Sequence, residues 1–392
     1  MAKAQKKILA DRRETKPPAV ADLVKMAAAR AGTSPSRIFR EMIALGMRRN
    51  GVSQHEFFNC QLYRPDLSRA EKREFLGEMG SYRLNLRLSP PNLTRMRGFL
   101  NDKITHTALW KAWGIPTTET QAAFAPDRWL GPIPALHDTD EIIAFLTQNA
   151  RFPLFCKPIA GLQALGSVCI DGVDAAGGTA HLANGETVSI SDLADEITRD
   201  FPEGYMFQSA VTQDPTVTAI AGRTLSCVRF VTVIREAAPE VLYASWKIAS
   251  PTAMADNFWQ EGSMLARVDA ESGVVQNCVL GKGPEAREIE THPVSGKPIV
   301  GYRIPHWEAA KKLVLNAHAI FPINGCLGWD VGIGADGPVI IECNDNPGAE
   351  FYQLVAGRGM MNDTMRPILD KVIARNKKIA ADKRRRLYKL DL

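Results

Sequence analysis

Apolar residues along this chain recur at two spacings, and the change from one to the other divides it. From Ala19 to about Gly80 the spacing is helical: Leu23, Met26 and Ala27, then Ile38, Met42 and Leu45, fall about a turn apart. Ser34-Pro35 supplies a helix start, because serine can accept from the first turn and proline lacks a donor that this turn would leave unused. Gly51 is expected to close that helix, and a further polar helix is expected at 68–79. Ser89-Pro90-Pro91-Asn92 then breaks the pattern. Beyond it, β-rich runs are expected at 152–157, 167–170, 216–219, 228–234, 241–247 and 264–268, with helices at 191–200, capped by Ser191, and at 306–319. From Asp363, the set Met365, Ile368, Leu369, Val372 and Ile373 marks a long amphipathic helix that ends in Lys383-Arg384-Arg385-Arg386. Front helices without βαβ alternation, followed by strands suited to an antiparallel sheet, predict an α+β chain.

The segment from Gly328 to Gly348 carries the most specific chemistry. Two apolar runs flank Asp336-Gly337, a strong hairpin signal. Strand alternation places Glu342 and Asn344 on one face, and Asp330 on the partner strand can lie opposite them. Two carboxylates and an amide oxygen, with neither sulfur nor imidazole, form a hard donor set that suits Mg2+ or Mn2+. A surface hairpin with scattered acids is the competing reading. Gly332 to Gly337 also matches Gly-x-Gly-x-x-Gly, but that fingerprint works only where a helix follows, and here a β-run does. The sequence has no Gly-x-x-x-x-Gly-Lys-Ser/Thr phosphate loop, and its seven histidines lack zinc-helix spacing.

With its neighbours, this pattern resembles the ATP-grasp superfamily. Asp330, Glu342-x-Asn344 and Pro347-Gly348 are similar to that fold's metal-binding end. Asn101-Asp102-Lys103, followed by Gly114-Ile115-Pro116, resembles its opening, where a helix carries a lysine toward the nucleotide. Phe152 to Pro158 resembles the strand of the second nucleotide lysine, Lys157, and Gly161 and Gly166 resemble its glycine loop. Gly204 to Ser209 resembles the adenine strand and hinge, which makes Phe207 and Gln208 nucleotide contacts. Arg229 and Lys247 lie on runs similar to the strands that reach the reacting phosphoryl group, and Asn257 with Gly262 resembles the Asn…Gly-Gly segment. The resemblance spans about residues 100 to 355 and is nearest to the sugar-transfer-associated ATP-grasp group, with similarity to glutamate-adding ligases. Two departures stand out. Gln208 replaces the usual hinge Glu, and Glu261 replaces a Gly, which puts the local loop in question because Glu rarely adopts positive φ.

The resemblance implies two α+β subdomains clasping ATP with Mg2+ or Mn2+, preceded by a helical region. The expected division is a flexible basic arm at 1–18, a helical domain at 19–95, a catalytic domain at 96–362 with lobes 96–205 and 206–362, and a basic amphipathic helix at 363–392. Asp330 and Glu342 would serve both metal and nucleotide. The implied reaction is carboxylate attack on the γ-phosphate and capture of the acyl phosphate by an amine, on a small-molecule or sugar-linked substrate such as a cell-envelope polysaccharide precursor. Arg229, Lys247 and Asn257 would steady the reacting groups. The alternatives are a kinase acting on a hydroxyl and a non-catalytic nucleotide-binding scaffold.

Charge changes this picture modestly. Residues 1–100 hold 20 Lys or Arg against 9 Asp or Glu, residues 371–392 hold 9 against 2, and the middle holds 19 against 32. Basic ends around an acidic middle suit peripheral docking on an anionic membrane, although solvated helix faces account for the same numbers and are favoured. No specific nucleic-acid partner is expected, and oligomeric state is left open. The first residues lack an apolar core for export, and the seven cysteines form no Cys-x-x-Cys pair and lie mostly in apolar runs. A cytoplasmic protein with reduced core thiols, reaching at most the inner membrane surface, is expected. Trp110, Trp113, Trp246, Trp259 and Trp329 are expected in the core, with Trp259 a candidate for lining the acceptor site.

Overall fold

A computed structural model describes residues 8–9, 18–48, 51–93, 97–160, 164–258 and 260–388, without the side chains of 97, 101 and 384–388. Gly161 and Trp259 therefore lie outside the described residues, as does most of the expected arm.

The front is helical: α1 (Val20–Ala31), α2 (Pro35–Gly46), α3 (Gln54–Asn59), α4 (Arg69–Lys72), α5 (Glu78–Leu88), α6 (Arg97–Asn101) and α7 (Lys103–Ala112). A first sheet contains β1 (Thr120–Phe124), β2 (Ala135–Leu136), β3 (Leu154–Pro158), β4 (Val168–Asp174), β5 (Thr179–Leu182), β6 (Thr187–Ser189) and β7 (Tyr205–Ser209). Helices α8 (Thr139–Ala144) and α9 (Ile190–Asp200) pack on one of its faces. After α10 (Pro215–Ala221), a second sheet contains β8 (Val228–Val233), β9 (Glu240–Ile248), β10 (Met264–Val268), β11 (Val275–Leu280), β12 (Arg287–Glu288), β13 (Cys326–Gly334) and β14 (Gly337–Asn344). Helix α11 (Trp307–Ala319) precedes β13, and α12 (Glu350–Ala356) and α13 (Met365–Tyr388) end the described chain. Strand order is β2-β1-β7-β3-β4-β5-β6 in the first sheet and β12-β11-β10-β9-β8-β13-β14 in the second. The sheets communicate through bridges from Thr117 to Ile340 and from Gln213 to Gly334.

Local chemistry accounts for most boundaries. The Ser34 hydroxyl accepts from Arg37 N, with Pro35 at the first helical position. Helix α2 stops at Gly46, before the expected Gly51. Gly51 serves close approach instead, since a Cβ there would fall 2.3 Å from the Gly46 carbonyl oxygen. The helix expected at 68–79 is only the short α4, and a new helix, α5, starts at Glu78. The strand expected at 216–219 is helical α10, because the Asp214 carboxylate caps Thr216 N (2.7 Å) and Val217 N (3.3 Å) with Pro215 at the first position. In α9 the cap is Ser189, which accepts from Asp192 N at 3.2 Å; the expected cap, Ser191, lies inside the helix.

The second sheet has two unlike faces. Phe230, Ala244, Trp246, Ala266 and Trp329 project to one side and bury against α11 residues such as Ala310 and Val314. On the other side, Val231, Val233, Tyr243 and Cys326 pack with Leu76, Leu84 and Leu88 of the front and with Met365 and Leu369 of α13. Polar contacts reinforce this junction: Asn85 Nδ2 donates to Asn346 Oδ1 (2.6 Å) and the Pro347 carbonyl (2.9 Å), and Ala349 N donates to Ser81 Oγ (3.1 Å). Of the expected arm, Ile8 and Leu9 are described and both are held. Ile8 N and Leu9 N donate to the buried Glu196 carboxylate at 2.8 and 3.1 Å, and Leu9 joins the core of the first sheet. Trp110, Trp246 and Trp329 are buried as expected, but Trp113 is 47% exposed. The seven cysteines are free thiols, six of them buried. Among the described residues no helix is long and apolar enough to cross a membrane.

Candidate active site

The uncovered end of that second face carries the charged groups. Strand registry pairs Asp330 with Arg229 on β8 and with Glu342 on β14, and pairs Gly328 with Asn344. Directly opposed residues share a face, so Arg229, Asp330, Glu342 and Asn344 converge. Lys247 joins them from β9, two residues from the Ser245 that pairs with Arg229. Arg229 grips Asp330 with two hydrogen bonds, Nε to Oδ1 at 2.5 Å and Nη2 to Oδ2 at 2.9 Å. Lys247 Nζ lies 3.2 Å from Asp330 Oδ2 and 2.9 Å from Asp256 Oδ2. Phe351, at the start of α12, lies against the guanidinium, whose carbon is 5.4 Å from the ring centroid.

These charges set one another's ionisation. Burial favours a neutral Asp330 carboxyl, but Arg229 and Lys247 more than offset it and hold the group well below the usual carboxylate range. Burial likewise works against the Lys247 ammonium and the Arg229 guanidinium, yet the facing carboxylates raise both above their ordinary values.

Helix α7 and the first sheet contribute two further lysines. Lys103, at the first position of α7, approaches Glu342 with Nζ to Oε1 at 3.7 Å. Its helix starts at Asp102, which accepts from Thr105 N (2.8 Å) and pairs with Arg128 (2.8 Å). Lys157 is 6% exposed and makes no ion pair with a described carboxylate; burial first, then repulsion from Lys103, pushes its ammonium down to about 8. His106, one turn beyond Lys103, is buried, bonds the Leu100 carbonyl through Nδ1 (3.0 Å) and is pushed down to about 4 by burial.

The remaining expected residues fall unevenly. Gly166 has φ 74°, its carbonyl accepts from Tyr205 Oη at 2.6 Å, and a Cβ would lie 2.3 Å from the Phe201 ring. Phe207 corrects the sequence reading: it shares its face with Ala122 and Cys156 and packs on Phe145 and Tyr205, so its ring lies in the core behind the strand. Gln208 shares the Lys157 face but is 1% exposed, with Nε2 donating to Thr118 Oγ1 (2.7 Å) and Thr120 Oγ1 (3.2 Å). The Asn257 carbonyl accepts from Ser263 Oγ (2.9 Å) and Gln260 N (3.0 Å), which fixes the turn next to Asp256. Glu261 needs no positive φ, because Gly262 takes it (80°). Sequence reading missed Asp256, although its place directly before Asn257 was a usable signal.

Among the described residues no group of three His, Cys, Asp or Glu side chains is gathered as a metal site. The candidate set, two carboxylates and an amide, fits a hard cation in donor type and in facing, while both Asp330 oxygens are engaged by Arg229 and Lys247 and Glu342 lies by Lys103. Among the described residues Asn344 Nδ2 is buried without a hydrogen-bond partner, and turning that amide over would present an oxygen there.

Two sheets meeting at a cleft, with lysines on one wall and an Asp/Glu/Asn hairpin on the other, define the ATP-grasp class of α+β proteins. A family model for sugar-transfer associated ATP-grasp proteins matches residues 84–367, and the chain belongs to that family. No curated protein matches it. Among solved structures, the D-alanine-D-alanine ligase from Coxiella burnetii is similar with TM-score 0.40 and 10% identity, over 74% of this chain and 62% of that one. The corresponding enzyme from Bacillus anthracis has TM-score 0.38 and 13% identity over 73% and 70%, and the L-amino acid ligase from Bacillus licheniformis 0.34 and 13% over 67% and 48%. The chain thus spans less than two thirds of the Coxiella enzyme.

Proposed function

We propose that the chain is an ATP-dependent carboxylate-amine ligase acting on a sugar or envelope precursor. The observation that carries this reading is the buried Lys157, which makes no ion pair with a described carboxylate and is repelled by Lys103 more than it is steadied by either Glu342 or Asp256. A buried cation without a directly paired carboxylate is costly, and a nucleotide triphosphate provides several negative charges.

Asp330, Glu342 and Asn344 would hold Mg2+, which when bound supplies charge neutralisation to the phosphates. Lys103 and Lys157 bind phosphate oxygens as compact charges, and the planar Arg229 fork suits a phosphoryl group held through two hydrogen bonds. A substrate carboxylate oxygen attacks the γ-phosphorus, the bond to the β-phosphate oxygen breaks, and ADP leaves. An amine then adds to the acyl carbon, loses a proton and expels inorganic phosphate. Nothing in the sequence requires a nucleophilic Ser or Cys; positioning and charge compensation do the work. Arg229 and Lys247 steady the acyl phosphate, and Asp256 keeps Lys247 in place. Membership in the sugar-transfer associated family supports the substrate class.

Screening ADP release against amino acids and against carboxylated or amino sugars, with mass spectrometry of the product, tests this reading. An amide product with one ADP per turnover is expected. A stable phosphate ester in its place identifies a kinase, and no ADP release from any pool identifies a scaffold; either outcome rejects the proposal.

A further inference from the structure

Helix α2 carries two apolar rows, and only one of them is covered. Ile38 and Met42 are buried with Leu23 and Ala27 of α1 and Phe57 of α3. Phe39, Ile43 and Met47 are spaced four residues apart and so run along a second face, where they are 50%, 40% and 84% exposed. Met47 caps the helix with right-handed helical backbone, and its N–H donates to the Ile43 carbonyl (3.0 Å), so the row continues past the last helical residue.

The charges of this helix are sorted as well. Its one acid, Glu41, is held by the buried Lys72 at 2.9 Å. Arg37 and Arg40, one turn apart, border the apolar row, and both are exposed. Arg40 Nε donates to the Ser36 carbonyl (3.3 Å), a neutral acceptor. A solvated helix face accounts for the arginines but gives no reason for three large apolar side chains in line beside them.

The occupant has to satisfy both features. A second copy would present the same arginines, and residues 1–18 hold six Lys or Arg against two Asp or Glu, so either would bring like charge to this face. Nucleic acid is negative but has no acyl-like surface for Ile43 and Met47. An anionic lipid surface meets both demands, since its hydrocarbon boundary takes the apolar row and its phosphates take the guanidinium forks.

We propose that α2 docks the chain on an anionic lipid bilayer, lying in the plane of the membrane with Phe39, Ile43 and Met47 at the acyl boundary and Arg37 and Arg40 on lipid phosphates. The contact is peripheral, because among the described residues no helix is long and apolar enough to cross. The proposal does not depend on the ligase reading.

Flotation of the full chain on phosphatidylcholine vesicles, with and without phosphatidylglycerol, tests it. Partitioning onto the acidic vesicles should exceed that onto the neutral ones at least tenfold and should fall as salt is raised. Phe39→Ser and Met47→Ser should each lower it at least fivefold, and Arg37→Gln combined with Arg40→Gln should remove the preference for acidic vesicles. Met47 lies beyond the last helical residue and is mostly exposed, so Met47→Ser serves should Phe39→Ser disturb folding. No partitioning onto acidic vesicles, or equal partitioning onto both kinds, overturns the proposal. So does partitioning indifferent to Met47→Ser, since that is adhesion by charge alone. Sedimentation that shows a dimer dissociated by Met47→Ser overturns it too, because a second copy then covers the row.

Discussion

Asp330 and Glu342 face each other across one ladder, yet they should respond very differently to replacement. Asp330 is 9% exposed and accepts from two buried cations, whereas Glu342 is 27% exposed and lies 3.7 Å from Lys103. Asp330→Ala leaves Arg229 and Lys247 without their shared partner and should cost about 3 kcal/mol in urea unfolding. Glu342→Ala should cost under about 1 kcal/mol while abolishing ATP turnover; near-normal turnover in the folded variant refutes its role as a metal ligand. The pH sign for Asp330 follows from its depressed folded value. Its contribution is present above the unfolded value of 3.8 and is lost as the solution is acidified further. Lys157 behaves oppositely, since its ammonium is pushed down to about 8 from 10.5. An anionic ligand restores the charged form, so nucleotide affinity should be flat below pH 8 and fall above it, with proton uptake on binding. Calorimetry at pH 8.5 in buffers of different ionisation enthalpy reads that uptake directly, and an unchanged proton count in Lys157→Met removes Lys157 from the site. Lys103, Glu342, Cys227, Asp256 and His106 are the titratable neighbours that could contribute.

At the scale of elements, what could be read in advance depended on periodicity. The hairpin donors, Arg229 and Lys247 were legible because strand alternation is strict and their neighbours are apolar. The same rule turns the side chains of Phe207 and Gln208 to opposite faces of the strand. Asp214-Pro215 was a helix start hidden by the β-branched Thr216, Val217 and Thr218 behind it. Trp113 misleads because a tryptophan at a helix end can leave half its ring in solvent. Gly166 tests how an element is held. Its positive φ and the nearby Phe201 ring leave no room for a Cβ, so Gly166→Ala should cost about 2 kcal/mol and shift the β3–β4 connection. Calorimetric ATP affinity should fall with it; unchanged stability and affinity mean that this wall can yield.

The whole molecule is less legible, because its contacts join distant parts of the chain. Nothing in the polar first residues announces that Leu9 enters a core 187 positions away, beside Glu196. Leu9→Ala should cost about 2 kcal/mol, and a thermal midpoint equal to that of the parent chain shows that the docking contributes nothing. Charge totals were readable, but which helices share a core was not. Ser89-Pro90-Pro91-Asn92 does break the backbone pattern, yet Leu76, Leu84 and Leu88 before it share one cluster with Val231, Val233 and Cys326.

That shared cluster bears on any attempt to isolate the two-sheet unit. A fragment cut at the proline pair would strip α5 from the second sheet, baring Val231, Val233 and Met365 and orphaning the amide of Ala349 and the carbonyl of Pro347. Helix α5 is thus part of the floor on which the Asp330–Asn344 hairpin rests, and a fragment that keeps this floor has to start upstream of Leu76.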